Sequence, residues 1–299
     1  MKKILITGKS SYLGNSFQEY IKEQCPDWTV DAISIRDDAW KKIDFSPYDC
    51  VLHMAGKAHA DVGNVSEEVK KEYYKVNYEL TKKVAKAVKR SGVKQFIYPG
   101  SIIIYGESAP YGKEKRITAA TKPAPANFYG DSKWRADKAV QELNDDTFRT
   151  VVLRLPMVYG KGSKGNYPLL SNLAKKLPVF PNVENARSMI YIENLCEMIR
   201  EIIEYGDCGV FYPQNAEYTA TSDMVKTIAD VSGNKIRLTR LLNPAVSLLS
   251  KMSGKIGKLA NKAFGNCTYE KSLSEYRGNE YQMYNFETSI RRTEGRVKR

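Results

Sequence analysis

The first half of the chain alternates short apolar runs with longer segments that carry apolar residues at helical spacing. The apolar runs predict strands at residues 2–7, 30–35, 51–55, 95–98 and 150–154. The amphipathic segments predict helices at residues 15–24, 67–91 and 129–143, the first with Phe17, Tyr20 and Ile21 facing inward. This alternation indicates right-handed βαβ units and therefore an α/β fold with a doubly wound parallel sheet.

The regular alternation of predicted strands and helices ends after residue 160. Glycine and proline punctuate a loop-rich stretch at Gly162, Gly165, Pro168, Pro178 and Pro181. The sequence therefore predicts a first domain at residues 1–160, to which parts of 185–230 return. Residues 161–299 are expected to form mainly a second, smaller lobe that closes on a ligand.

The turn between the first strand and the first helix is a candidate phosphate-binding loop. It runs from Gly8 to Gly14, where backbone N–H groups and a helix N-terminus can hold a pyrophosphate. Ser11 stands where a middle glycine is usual, so a hydroxyl and a Cβ would lie close to the diphosphate.

Tyr129 and Lys133 lie four residues apart on a predicted helix and therefore share one face. We expect the Lys133 charge to favour the phenolate and to lower the pKa of Tyr129 toward working pH. A phenol tuned in this way can donate and accept a proton.

Composition narrows the class of protein. The chain has 299 residues, of which 42% are hydrophobic and 27% charged, as in ordinary globular proteins. No stretch reaches the apolar length of a membrane span. Five cysteines without a CxxC pair and two histidines argue against a zinc or other metal site, and we expect reduced thiols and a cytoplasmic location.

Several short motifs occur in a fixed order and together resemble the extended short-chain dehydrogenase/reductase superfamily. Within it, the chain looks like the nucleotide-sugar epimerases and reductases related to UDP-glucose 4-epimerase, which implies a Rossmann-type sheet with a smaller C-terminal substrate-binding lobe. The matching segments are the loop at residues 7–14, Asp44-Phe45, the LHMAG run at 52–56, Val76-Asn77, the serine-to-tyrosine stretch at 101–106, the Tyr129/Lys133 pair and LRLPMVYG at 153–160.

The resemblance implies a set of site residues. The catalytic residues would be Ser101, which holds the reacting sugar oxygen, Tyr129 as acid and base, and Lys133. The cofactor-binding residues would be Gly8, Ser10, Ser11, Tyr12, Leu13, Gly14, Arg36, Asp44, Phe45, Met54, Ala55, Gly56, Asn77, Tyr129, Lys133 and Pro156. The substrate would be held by Ser101, by Asn166 on a uracil or phosphate, and by Arg187 on the diphosphate.

The expected reaction is redox at the sugar C4 with NAD or NADP as cofactor. Dehydratases of the superfamily place Asp-Glu after the catalytic hydroxyl residue, whereas Ile102 and Ile103 stand there in this chain and cannot move protons. A UDP-hexose 4-epimerase of the UDP-glucose or UDP-GlcNAc type is the first expectation, and an NADPH-dependent UDP-4-keto-sugar reductase is the alternative. A non-catalytic dinucleotide-sensing protein on the same fold is the alternative of another class.

The choice of cofactor depends on the residues that follow the second strand. Arg36, with Ser34, would suit the 2′-phosphate of NADP, whereas Asp37 turned inward would favour NAD. The epimerase interpretation favours NAD, because an epimerase recycles a tightly held cofactor.

The net charge is +13, and residues 240–299 hold 12 Lys and Arg against 5 Glu and no Asp. Residues 241–264 predict a basic amphipathic helix that breaks near Ser253-Gly254. We expect it to belong to the substrate lobe with its lysines solvated; docking to an anionic membrane is the alternative. No nucleic-acid motif accompanies the charge. A homodimer through helices 67–91 and 129–143 is possible by analogy.

Overall fold

The computed structural model describes residues 1–57 and 65–295. The chain folds into two compact units, and the polypeptide passes from one unit to the other several times. The first unit consists of Met1–Gly106, Lys122–Leu155 and Leu195–Pro213, and the second of Glu107–Thr121, Pro156–Asn194 and Gln214–Arg299.

The described residues form twelve strands and ten α-helices. The strands are β1 (Lys3–Thr7), β2 (Thr29–Ile33), β3 (Cys50–His53), β4 (Gln95–Ser101), β5 (Arg116–Ile117), β6 (Arg149–Leu155), β7 (Met157–Tyr159), β8 (Val179–Pro181), β9 (Met189–Tyr191), β10 (Gly209–Phe211), β11 (Arg237–Thr239) and β12 (Thr268–Tyr269). The helices are α1 (Tyr12–Gln24), α2 (Glu67–Tyr73), α3 (Thr81–Arg90), α4 (Phe128–Gln141), α5 (Asn166–Lys176), α6 (Ile192–Tyr205), α7 (Thr221–Ser232), α8 (Asn243–Lys251), α9 (Gly254–Phe264) and α10 (Phe286–Thr293).

A six-stranded parallel sheet organises the first unit in the order β10-β6-β4-β3-β1-β2. The central strands are buried on both faces, and this is why they read as continuous apolar runs in the sequence. The predicted α/β class with a parallel sheet is confirmed. Because all six strands run the same way, the loops after β1, β2, β3, β4 and β6 emerge at one edge, where open α/β sheets bind ligands.

Two helices differ from their predicted limits for local reasons. Helix α1 begins at Tyr12 rather than at residue 15, because the Ser11 side chain accepts a hydrogen bond from the Gly14 amide and caps the helix. The predicted long helix at 67–91 is helical throughout, but a π-helical turn at Tyr74–Leu80 separates α2 from α3. Phe17, Tyr20 and Ile21 face inward as predicted.

The second unit contains three small parallel pairs, β7 with β9, β8 with β11 and β5 with β12. Helix α5 packs on α7, and α8 packs on α9. The predicted break at Ser253-Gly254 is present, because α8 ends at Lys251 and α9 begins at Gly254. Among the residues that the structure describes, no helix is long and apolar enough to cross a membrane.

Candidate active site

The loop from Gly8 to Gly14 has the shape that a diphosphate requires. Gly8 has φ +113°, and a Cβ placed on it would lie 2.7 Å from the Ala55 amide nitrogen, so only glycine fits where the loops after β1 and β3 meet. Tyr12 and Leu13 begin α1, whose first turn holds no acidic residue. The positive end of the helix dipole is therefore not neutralised by a side chain of the first turn, and such a helix start suits an anion.

Ser11 has a structural role that explains its departure from glycine. Its Oγ accepts a hydrogen bond of 3.4 Å from the Gly14 amide, which is the capping bond of α1. A glycine at this position would leave that amide to solvent or to a ligand. The serine therefore fixes the start of the helix and leaves the loop with less conformational freedom than a glycine would.

The residues after β2 present a cation to the phosphate loop. The Arg36 guanidinium donates a 3.1 Å hydrogen bond from Nη2 to Ser10 Oγ. Asp37, the alternative ribose contact, uses its carboxylate to accept a 3.0 Å bond from the Ala39 amide and caps the 3-10 helix at Asp38–Lys42. In this structure Arg36, and not Asp37, is directed toward the loop.

The predicted adenine contacts are divided between surface and core. Asp44 is exposed, and its Oδ1 accepts a 2.9 Å bond from the Ser46 amide. Phe45 is 2% exposed and packs in the main hydrophobic core. Their contact with adenine therefore stays a prediction, as does that of the buried Pro156, which directly follows β6.

The segment after β3 is held by Asn77, from the π-helical turn. The Met54 amide donates to the Thr7 carbonyl (2.8 Å), which joins this segment to β1. Asn77 Oδ1 accepts from the Lys57 amide (2.7 Å), and its Nδ2 donates to the Lys57 carbonyl (3.1 Å) and to Ser132 Oγ (3.2 Å). One buried amide therefore connects the loop after β3 to α4, and π-helical turns are frequent where a side chain must be aimed in this way.

Lys133 is buried beneath this loop. Its Nζ donates a 3.2 Å hydrogen bond to the Pro99 carbonyl on β4 and lies 5.0 Å from the centre of the Tyr98 ring. A Cβ placed on Gly56 would lie 3.5 Å from the same Nζ. Burial disfavours the ammonium form and lowers the pKa of Lys133 from 10.5 to about 8.

The expected effect of Lys133 on Tyr129 is wrong for the structure without a ligand. Burial raises the pKa of Tyr129 to about 12, and the neighbouring Tyr73 adds to the increase. The Tyr73 and Tyr129 rings meet edge to face with 5.9 Å between centroids. The Lys133 amine is directed to the Pro99 carbonyl instead of the phenol, so Tyr129 is a protonated donor at neutral pH.

Packing of α4 brings Ser101 to the same edge as Tyr129 and Lys133. Ser101 ends β4, and its Oγ accepts a 3.3 Å bond from the Ile103 amide, so it also caps the 3-10 helix at Ile102–Tyr105. A Cβ on Gly130 would lie 3.0 Å from the Ile103 carbonyl oxygen. The residue after Tyr129 therefore touches the residues after Ser101, while Lys133 contacts β4 two residues before it.

A buried ion pair behind this group was not predicted. Asp137, one turn beyond Lys133 on α4, receives bonds from Arg154 of β6 at 2.9 Å (Nε) and 3.1 Å (Nη2). Arg154 Nη1 also donates to the Tyr105 hydroxyl (2.7 Å) and the Tyr212 hydroxyl (2.8 Å). Asp137 continues the four-residue spacing of Tyr129 and Lys133, and Arg154 lies in the LRLPMVYG segment, so the sequence marks both positions. Only the fold shows that the two residues pair.

His53 is a second residue that the sequence did not single out. Its ring lies between Thr7 Oγ1 (2.7 Å) and Thr81 Oγ1 (3.0 Å) and has no exposed surface. Burial, with a contribution from the charge of Lys133, lowers the pKa of His53 to about 3, so the ring is neutral. It joins β1, β3 and α3 below the loops and is a structural residue.

In the second unit, Arg187 is a half-buried cation. Its Nη1 donates to the Gly265 carbonyl (3.0 Å) and to Ser108 Oγ (3.4 Å). Burial lowers the pKa of Arg187, and within the described ranges no carboxylate forms an ion pair with it. The surface ion pair that would give Arg187 a purely structural role is therefore absent from this part of the chain, and the charge is available for an anion.

Asn166 is the first residue of α5 and follows Gly165, the N-cap residue of that helix. The first turn of α5 holds no acidic residue. The structure records no hydrogen bond between the described side chains of Asn166 and Arg187, so the two are separate candidate contacts of the second unit. A helix N-terminus with an amide side chain suits a phosphate or a uracil edge.

Comparison with known proteins agrees with this geometry. Residues 4–212 match the model of the NAD dependent epimerase/dehydratase family, which is most of the chain. The chain belongs to this family. Members of an NAD-dependent family take a nicotinamide dinucleotide, so the cofactor is NAD or NADP.

Two curated relatives are similar to part of the chain. UDP-glucose 4-epimerase of Vibrio cholerae is 32% identical over 185 residues, which cover 60% of this chain and 56% of the relative. N-acetyl-alpha-D-glucosaminyl-diphospho-ditrans,octacis-undecaprenol 4-epimerase of Escherichia coli O157:H7 is 30% identical over 51% of this chain and 45% of the relative. The chain thus spans about half the length of the curated relatives it matches.

Solved structures show that the fold extends over the whole chain. dTDP-4-dehydrorhamnose reductase from Bacillus anthracis, in complex with NADP, has a TM-score of 0.72 and 19% identity, with 100% of both chains covered. At that identity the likeness establishes the fold alone. The predicted Rossmann-type architecture of the family is confirmed.

Proposed function

We propose that this protein is a nucleotide-sugar enzyme that acts by redox at the sugar C4, most simply as a UDP-hexose 4-epimerase of the UDP-glucose or UDP-GlcNAc type. The observation that carries the proposal is the convergence of Ser101, Tyr129 and Lys133 at the edge of the sheet where the phosphate loop also lies. The two 4-epimerases among the relatives support it. Ile102 and Ile103 after Ser101 argue against dehydration.

The residues of the first unit divide the chemistry between them. A bound nicotinamide cofactor would supply the hydride-transfer chemistry at the sugar carbon. Tyr129 takes the proton of the sugar hydroxyl as the carbonyl forms and gives it back as the hydroxyl is restored. Ser101 Oγ holds the same oxygen by a hydrogen bond and stabilises the charge that develops on it.

Lys133 prepares Tyr129 for the first of these proton transfers. In the structure without ligands the phenol holds its proton, since burial raises the pKa of Tyr129 to about 12. The amine of Lys133 lies one turn away, and a cation there stabilises the phenolate. We propose that ligand binding turns the amine from the Pro99 carbonyl toward the reacting group.

The second unit is proposed to hold the sugar nucleotide. Arg187 would bind the diphosphate through charge-assisted hydrogen bonds, because its half-buried guanidinium bonds only neutral groups among the residues described. Asn166, at the start of α5, would contact a phosphate or the uracil. The first unit would bind the dinucleotide.

The test is conversion of a panel of substrates by the purified protein, with Tyr129→Phe as the diagnostic variant. The panel contains UDP-glucose, UDP-GlcNAc, GlcNAc-diphospho-undecaprenol and a UDP-4-keto sugar, each with and without NADPH. An epimerase inverts one of the first three without added NADPH. Tyr129→Phe should lower kcat by about 10²–10⁴-fold, the contribution of a positioned acid and base, with cofactor affinity unchanged.

The matched control is Tyr205→Phe, at the exposed end of α6. It removes the same hydroxyl and should leave turnover unchanged. Unaltered activity in Tyr129→Phe would refute the assigned acid and base. A wild type that binds NAD(P) and converts no member of the panel would instead support the non-catalytic, dinucleotide-sensing alternative.

A reductase of UDP-4-keto sugars is the second candidate, and the bond from Arg36 to Ser10 favours it. This guanidinium could receive the 2′-phosphate of NADPH, which a reductase consumes. Arg36→Ser should weaken NADPH binding about tenfold or more, since a hydrogen bond to a charged group contributes about 1.5–3 kcal/mol, and leave NAD binding little changed. Equal affinity of wild type and variant for NADPH would remove this support.

A further inference from the structure

The outer surface of α8 and α9 exposes apolar side chains where a helix normally exposes polar ones. Seven of the thirteen large apolar residues that are exposed in the described chain lie between residues 241 and 259, which makes this a local concentration and not scattered exposure. We call it the apolar strip; its main members are Leu241, Leu248, Leu249, Met252, Ile256 and Leu259, exposed by 41% to 88%.

The strip is not a consequence of loose packing, because the opposite side of the helix pair is firmly held. Val246 is buried, and a Cβ on Gly257 would lie 1.8 Å from the Met252 carbonyl oxygen, so α9 crosses the end of α8 in direct contact. Asn261 Nδ2 donates to the Ser250 carbonyl (2.9 Å), and Asn261 Oδ1 accepts from the Tyr111 amide (2.9 Å). The helix pair is therefore a fixed part of the second unit.

Within the segment that carries the strip, the charged side chains are of one sign. Lys251, Lys255, Lys258 and Lys262, here called the lysine row, are all exposed along the same two helices. No Asp or Glu occurs from residue 231 to residue 269, and the acidic neighbour recorded at the start of the segment is Glu184, which pairs with Arg240. An aliphatic surface bordered by lysines suits a bilayer with anionic headgroups.

We propose that the apolar strip and the lysine row form a docking surface for an anionic lipid bilayer. The aliphatic side chains would enter the boundary between headgroups and acyl chains, and the lysines would extend to the phosphates. Protein interfaces are enriched in aromatic residues and depleted in lysine, whereas residues 243–263 contain no aromatic residue and four lysines. The composition therefore favours lipid over a protein partner.

None of the residues of the apolar strip or the lysine row is among those proposed for catalysis or substrate binding, so the docking proposal does not depend on the identity of the substrate. Its test is cosedimentation of the full chain with vesicles of equal parts phosphatidylglycerol and phosphatidylcholine, and with vesicles of phosphatidylcholine alone. We expect wild-type protein to sediment with the anionic vesicles, to remain in solution with the neutral ones, and to be released by high salt.

Two double variants test the charged part and the apolar part of the surface separately. Lys251→Gln with Lys258→Gln should lower the partition coefficient about fivefold for each lysine, which corresponds to about 1 kcal/mol per charge near an anionic surface. Leu248→Ser with Leu259→Ser should lower it at least as much. The matched controls are Lys22→Gln and Leu169→Ser, which change an exposed lysine and a half-exposed leucine of other helices.

Wild-type protein that stays in the supernatant with anionic vesicles overturns the proposal. So do control variants that lose as much binding as the surface variants. Sedimentation velocity without lipid separates a protein partner from a membrane: a wild-type dimer that Leu248→Ser with Leu259→Ser dissociates would make the strip an interface between copies of the chain, and the bilayer proposal would be wrong.

Discussion

At the scale of single residues, the burial of Lys133 suits a role in catalysis but lowers the free energy of unfolding. The native state buries an amine that water would stabilise as ammonium, and this lowers the pKa of Lys133 from 10.5 to about 8. Buried groups with shifted pKa values are typical of active sites. The cost in folding free energy can be measured.

Replacement of Lys133 by methionine should stabilise the cofactor-free protein at pH 7 by up to about 3 kcal/mol, while turnover is lost. Below pH 8 both native and unfolded wild type hold the proton, so the wild type bears the whole cost of burying it. Between pH 8 and pH 10.5 the native state has lost the proton and the unfolded state has kept it, so wild-type stability rises with pH. Urea denaturation at pH 7 and pH 10 measures the difference between the two proteins.

The control for this prediction is Lys138→Met, which makes the same change on the exposed side of α4. A stability difference between wild type and Lys133→Met that does not change from pH 7 to pH 10 would contradict the assigned pKa shift.

Residue spacing was sufficient to find the Tyr129/Lys133 pair, but it did not predict the pKa of Tyr129 or the direction of the Lys133 amine. Four residues on a helix place both side chains on one face, whatever the rest of the fold. The direction of the Lys133 amine depends on the Pro99 carbonyl, which β4 brings there from a distant part of the sequence. Likewise, Ser11 looked like a substituted glycine, and its bond to the Gly14 amide became visible only with the helix start.

At the scale of elements, α4 is the part of the first unit that fixes the candidate site. It carries Tyr129 and Lys133 on one end, contacts the residues after β4 through Gly130, and is joined to β6 by the pair of Asp137 and Arg154. The ion pair is buried on both sides, with side chains 0% and 8% exposed. Removal of one partner would leave the other charge buried without this counter-charge.

Arg154→Met or Asp137→Leu alone should each destabilise the protein by about 3–5 kcal/mol, the cost of an uncompensated buried charge. The double variant Asp137→Leu with Arg154→Met should cost less than the sum of the single variants, because it removes both charges. Urea denaturation of the four proteins measures this coupling.

Arg135→Met serves as the comparison, because Arg135 pairs with Asp131 on the exposed side of the same helix. It should change stability by less than about 1 kcal/mol. Single variants of the buried pair that are as mild as Arg135→Met would show that the pair does not hold α4.

Element types followed from the sequence more readily than element limits. Continuous apolar runs for the buried strands and the 3.6-residue period of the amphipathic helices can be read without knowledge of distant contacts. The π-helical turn at Tyr74–Leu80 differs from an α-helix in the spacing of its backbone hydrogen bonds, which the residue pattern does not reveal. Within it, the buried Asn77 bonds the segment after β3 and α4, and these contacts depend on the fold.

At the scale of the whole molecule, the first unit is discontinuous in the sequence. Strand β10 and most of α6 belong to it, although residues 156–194 of the second unit come between them and β6. Gln95 Nε2 donates to the Ile202 carbonyl (3.0 Å) and the Asp207 carbonyl (2.8 Å), which ties this late segment to the start of β4. The sequence predicted a return of later residues but could not identify the strand, because Gly209–Phe211 is too short to show a period.

A fragment of residues 1–160 should therefore fail to unfold cooperatively. It lacks β10, which pairs with β6, and the apolar face of α6, so one side of the sheet is left uncovered. A fragment of residues 1–213 should regain a cooperative transition. Thermal melts followed by near-ultraviolet circular dichroism compare the two fragments with the full chain, and equal cooperativity of 1–160 and 1–213 would contradict the prediction.

The late arrival of β10 also matters while the protein is being made. A ribosome adds about 5–20 residues per second, so the 56 residues from the end of β6 at Leu155 to the end of β10 at Phe211 (211 − 155) take about 3–11 seconds to synthesise. Throughout that interval the edge of β6 is unpaired on the nascent chain. An unpaired strand edge is a site for aggregation, so slower synthesis before residue 209 would prolong the time during which the nascent chain exposes it.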